Sequence, residues 1–90
     1  MTVIGIRLIT GEELIARCKN IGGDLEVEMA RVIGLQETPQ GVGLGFMPWT
    51  LGNPDSTVMI KGEHVIATYT PKAEIEKAFL SQTSKIALMG

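Results

Sequence analysis

The sequence predicts a mainly β fold, a small β-barrel followed by one C-terminal α-helix. Three observations carry that expectation. Short runs with apolar residues at every second position recur between Val3 and Tyr69, which is the period of a strand covered on one face. Clusters rich in Gly, Asn and Pro separate these runs, as hairpin turns and loops require. After Tyr69 the apolar spacing changes to that of a helix.

The first run, residues 3–9, sets Ile4, Ile6 and Leu8 on one face and Gly5 and Arg7 on the other. Thr10-Gly11-Glu12 reads as a tight turn into residues 13–19, where Leu14, Ala16 and Cys18 alternate with Glu13, Arg17 and Lys19. The pair predicts a β-hairpin. Asn20-Ile21-Gly22-Gly23-Asp24 is a second turn, marked by its paired glycines.

In the third run Leu25, Val27 and Met29 alternate with Glu26 and Glu28, and then the phase slips so that Ala30 and Val32 alternate with Arg31. A slip of one residue is what a β-bulge or sharp bend produces, and a small closed barrel needs such bends. The alternative is a strand that ends near Ala30. Thr38-Pro39-Gln40-Gly41 turns into a strand whose glycines Gly41, Gly43 and Gly45 leave one face bare, open to the approach of another backbone or chain. Pro48 marks it as an edge strand, and Leu51-Gly52-Asn53-Pro54-Asp55-Ser56 is a loop.

The last two runs, Val58-Met59-Ile60 and Val65-Ile66-Ala67-Thr68-Tyr69, flank Lys61-Gly62 and read as a second hairpin. A helix over about 71–89 follows, with Thr70 as its cap, Pro71 first, and Glu74 and Glu76 near its positive end. Its apolar face of Ile75, Ala78, Phe79, Ile86 and Met89 calls for packing on the barrel or on a neighbouring subunit.

Ninety residues make one domain. The chain is 44% hydrophobic and 20% charged, with a mean hydropathy of +0.21. That apolar surplus in so small a domain points to a subunit interface, so self-association is expected. The net charge of −2 excludes indiscriminate nucleic-acid binding by a wholly basic surface, but not a local basic site. Cys18 is the only cysteine, which rules out an intrachain disulfide and fits a reducing compartment. No signal peptide and no membrane-spanning run are read, so a soluble, cytoplasmic protein is expected.

An enzyme needs a constellation, and the chain offers one His and one Cys, with no nucleophile-elbow or phosphate-loop motif. Cys18, His64 and Asp24 could be combined on paper, but Cys18 lies on the apolar side of its strand and reads as a buried structural thiol. No catalytic residue, metal ligand set or cofactor is predicted. Trp49, between Pro48 and the loop, reads as a packing or interface residue rather than a stacking platform. Lys61 and His64 crowd a glycine corner, where a cation and an imidazole can hold an anion or a base. The alternative there is a solvated hairpin tip.

Two segments resemble the signatures of the Sm-like family, which includes the LSm and Hfq proteins. Leu8-Ile9-Thr10-Gly11 followed by Leu14-Ile15-Ala16-Arg17 is similar to the first, with Ala16 where a glycine is usual. Ile60-Lys61-Gly62 followed by Val65-Ile66 is similar to the second, with lysine in place of the commoner arginine. The chain looks most like a divergent, phage-type member over residues 3–70, which would place it in the host cytoplasm.

The resemblance implies a strongly bent five-stranded, SH3-like barrel that pairs edge to edge into a homo-oligomeric ring of roughly five to seven subunits. It implies binding of single-stranded RNA, or DNA, near the pore. Lys61 would supply the cation and Gly62 backbone groups, and His64, Asn20 and Asp24 would add hydrogen bonds. Three departures stand out. Leu25-Glu26 replaces the apolar-Asn step expected after Asp24, the helix follows the barrel instead of preceding it, and residues 38–57 form a longer, Gly/Pro-rich segment. The competing expectation is an SH3-like protein-interaction module, docking through its edges and helix.

Overall fold

The computed structural model describes residues 1–83. Its strands are β1 (Thr2–Leu8), β2 (Glu13–Ile21), β3 (Asp24–Thr38), β4 (Gly41–Pro48), β5 (Thr57–Ile60) and β6 (Val65–Tyr69), and the helix α1 is Ala73–Thr83. All pairings are antiparallel. The order across the sheet is β4-β3-β2-β1-β6, with β5 also on β3. The mainly β class with a C-terminal helix is as expected. The strand count departs from the five that the Sm-like resemblance implies: among the described residues there are six, one for each run read along the sequence.

The chain leaves the sheet after Pro48 and rejoins it at Thr57. Both returning pieces pair with the long β3. β4 lies against its second half from Arg31↔Pro48 to Thr38↔Gly41, and β5 against its first half from Leu25↔Ile60 to Glu28↔Thr57. The expected second hairpin is also absent. β5 pairs with β3 and β6 with β1, so the 3₁₀ turn Gly62–His64 carries the chain across the structure instead of reversing it beside itself. Strand pairing ends at β6 on one side and at β4 and β5 on the other, which leaves the sheet unclosed among the described residues.

The phase slip in β3 is a β-bulge. Ile15 pairs with Arg31 and Arg17 with Glu28, so Met29 and Ala30 together oppose Ala16. Met29 takes the left-handed backbone, with φ 57°, and the extra residue returns Ala30 to the face that already holds Leu25 and Val27. Those three side chains join Ile6, Leu8, Leu14, Cys18 and Ile60 in the main core on one face of the sheet.

The other face carries a second, smaller core. Phe79 of α1 is fully buried against Val3 and Ile15, with Met29, Ile33, Phe46, Ile75 and Leu80 around it. Ile15 therefore lies buried on the face that the sequence reads as polar. α1 begins at Ala73, where the Lys72 carbonyl accepts the N–H groups of Ile75 and Glu76 at 3.0 Å. The expected helix beyond Thr83, with Ile86 and Met89, lies outside the described residues. No helix among the described residues is long and apolar enough to cross a membrane.

Two features shape the rest of the molecule. Arg31, only 8% exposed, donates to the Pro54 carbonyl at 2.8 Å and lies 3.6 Å from Asp55 Oδ1. It thereby ties the loop between β4 and β5 to the middle of β3. Beyond Ile33, β3 and β4 run out as a two-stranded arm. One face of the arm is paved with Gly34, Gly43 and Gly45, and the other carries Leu35, Val42 and Leu44 in the open.

Candidate nucleic-acid interface

The site is built where two distant turns meet. At the end of the β2–β3 hairpin, Ile21 pairs with Asp24 across a two-residue Gly22-Gly23 turn. Both glycines have positive φ, 61° and 96°, which matches the primed turns whose twist suits a hairpin. Asn20 Oδ1 accepts the Gly23 N–H at 3.0 Å and steadies this turn.

Facing it is the Lys61 corner. Lys61 is extended at φ −65° and ψ 135°, and the His64 N–H donates to its carbonyl at 2.9 Å to close the 3₁₀ turn. The Ile9 N–H in turn donates to the His64 carbonyl at 2.9 Å, which pins the corner to the end of β1. The two turns are in contact at Gly62. A Cβ on Gly62 would stand 2.3 Å from the Gly23 carbonyl oxygen, so only glycine allows this approach.

Asp24 locks the contact. Its Oδ1 accepts the Gly62 N–H at 2.8 Å, and its Oδ2 lies 3.9 Å from Lys61 Nζ. At that distance, with the Lys61 side chain 64% exposed, the pair is weak and the ammonium remains accessible to an anion. Asp24 thus acts as a tether within the corner. Asn20 holds its own turn.

Beside the corner opens a cleft of about 370 Å³. Ile9, Trp49 and Met59 give it apolar walls, while Thr10, Glu12, Lys61 and His64 supply its polar groups. Trp49 packs partly against the main core, as expected, and also lines this cleft. Its backbone is fixed by the bond from its N–H to the Ala30 carbonyl at 3.0 Å, next to the bulge.

Of the five residues singled out from the sequence, the structure brings Asp24, Lys61 and Gly62 into direct contact and places His64 on the cleft that Lys61 also lines. Asn20 joins them only through the hairpin turn. The cleft-lining roles of Trp49, Met59, Thr10 and Glu12 were missed. Thr10-Gly11-Glu12 signalled only a turn, and nothing local indicates that this turn lies beside a loop some forty positions later. Cys18 is buried, and that burial pushes its thiol up from the ordinary value, against the reactivity of a nucleophile. Among the described residues no group of three or more His, Cys, Asp or Glu side chains is placed to hold a metal.

No family model matches the chain, and no curated protein matches it in sequence.

Proposed function

We propose that this protein is a non-enzymatic, Sm-like single-stranded nucleic-acid-binding module that self-associates into a ring. The observation that carries the reading is the meeting of the Asn20–Asp24 hairpin turn with the Lys61-Gly62 corner. Two turns far apart in sequence meet beside an exposed cation and a cleft that Trp49 lines. Phosphate contact at Lys61 positions a strand, and the cleft receives part of what the phosphate carries.

Self-association is supported by the sheet's edges. Among the described residues β6 has a partner only in β1, and β4 and β5 only in β3, so each end of the sheet offers a ladder to a second copy. Pairing one end with the opposite end of the next copy is a heterologous contact, which closes into a ring when its rotation allows. A closed ring would also gather the Lys61 cations of all copies, which reconciles nucleic-acid binding with the negative net charge.

Native mass spectrometry of the protein with short single-stranded RNA tests both parts. The expected species is a closed oligomer of roughly five to seven copies carrying one strand. Lys61→Ala should leave assembly intact and flatten the salt dependence of binding. A bare monomer that ignores RNA would overturn the reading.

A second reading, a protein-interaction module, is favoured by one observation. Leu35 is 81% exposed, and Val42 and Leu44 lie open beside it on the arm, an apolar surface of the kind that partners cover. It predicts no salt-sensitive binding of RNA, and dispersal of a complex by Leu35→Asp with the fold retained. Phe79 is buried in the second core, so a substitution there disrupts folding before it reports on a partner.

A further inference from the structure

We propose that the arm formed by β3 and β4 docks onto a second copy of this chain, with the Leu35, Val42 and Leu44 faces of the two arms packed together antiparallel. The contact is independent of nucleic-acid binding, and it uses the face of the arm, whereas the proposed ring uses the sheet ends. Along this face the paired residues are Ile33↔Phe46, then Leu35↔Leu44, then Glu37↔Val42. The first pair packs against the Phe79 cluster. The next two continue the same face uncovered, with Leu35 81%, Val42 68% and Leu44 47% exposed. The arm is well formed all the same. Its pairing is unbroken to Thr38↔Gly41, and the Thr38 hydroxyl donates to the Gly41 carbonyl at 2.8 Å to close the tip. A two-stranded ribbon with a bare apolar face is marginal in water and needs a second layer.

Charge and size make a second copy that layer. From Ile33 to Pro54 the only charged side chain is Glu37, so a partner recognised by its charge finds nothing to grip. The arm also lacks the lysines with which exposed strands hold off their own kind. Laid antiparallel over the Leu35↔Leu44 pair, two arms cover each other's leucines and carry each Val42 toward the half-buried Phe46 of the other copy. The two Glu37 carboxylates then lie about 13 Å apart along the arms, beyond the range of screened repulsion. Parallel arms would bring them together. The three side chains leave roughly 300 Å² of apolar surface per copy, and two copies bury about twice that, less than the roughly 1,000 Å² of a stable interface. Between single copies the contact is weak and dissolves on dilution, so the stability of one copy does not depend on it. Between two rings, each with one arm per copy, it is multiplied.

Sedimentation equilibrium of the full chain and of Leu35→Asp at about 300 µM tests the contact, since a two-fold contact joins assemblies in pairs. The unmodified protein should hold twice as many copies per particle as the variant, with the variant's melting temperature retained. Val42→Asp should do the same. Equal copy numbers, or a ratio other than two, would overturn the proposal. A fall in melting temperature at unchanged copy number, or failure of both variants to fold, would mean that the arm is covered from within its own chain, and would overturn it as well. A halved particle of one copy would leave the arm contact standing and remove the ring, whereas one of five to seven copies would uphold both.

Discussion

The two halves of β3 obey the same hydrogen-bonding rules and end in opposite circumstances. In the first half Leu25 and Val27 are buried in the main core, with β2 on one side and β5 on the other. In the second half Leu35 is exposed, although it alternates just as regularly and pairs in register with Leu44 of β4. Pairing alone does not bury a side chain. Burial requires a second layer, and among the described residues Ile33 and Phe46 are the last of this strand pair to pack against the Phe79 cluster. The same strand thus supplies both the scaffold of the candidate site and a bare arm.

The sharpest way to break this contrast is to remove the layer that covers the body. Phe79→Ala should destabilise the fold by about 3–5 kcal/mol, whereas Leu35→Ala should change it by no more than about 0.5 kcal/mol. Urea denaturation of the two variants measures both, and equal effects would mean that the arm is packed in solution. Gly62→Ala comes next. Its new Cβ meets the Gly23 carbonyl, so the two turns must separate at a cost of roughly 1–3 kcal/mol, with weaker RNA binding. Retained melting temperature and retained binding would show that the turns do not touch.

A smaller effect is expected in alkali. Tyr69 lies over Gly5 and donates to Glu13. Burial foremost, then the hydrogen bond to Glu13 and its charge, push its phenol up to about 12, with Arg7 opposing. The neutral phenol is favoured in the fold, so its contribution is complete below pH 10 and is lost as the pH rises toward 12. Tyr69 is the only tyrosine, and its ultraviolet titration reads this directly. Glu13→Gln should move the transition down. Lys61→Ala should have the smallest effect on stability, at most about 1 kcal/mol, because its ion pair is exposed and long.

Much of the sheet was legible in the sequence because it rests on local rules. The bulge at Met29 and Ala30 follows from a change of apolar phase, and the Gly22-Gly23 turn follows from two residues that adopt positive φ freely. The errors are tertiary. Nothing between Ile60 and Val65 reveals that β5 and β6 belong to different neighbours. Ile15, flanked by Leu14 and Ala16, counts against the alternation until Phe79 is seen to cover it. The corner was legible as a cluster of residue types, but Asp24 as its tether was not, since the bond to Gly62 joins positions 38 apart.

That bond has a consequence for how the protein comes into being. The candidate site has no local precursor. Neither the hairpin turn nor the corner holds it alone, and the segment between them must first be ordered through β3, the arm and the Arg31 clasp. Contacts of such sequence separation pay their loop-closure entropy before they return anything, and they complete slowly. A nascent or partly unfolded chain therefore lacks the surface altogether. Binding competence marks the arrival of the finished molecule, and hydrogen exchange at the Gly62 amide follows its loss.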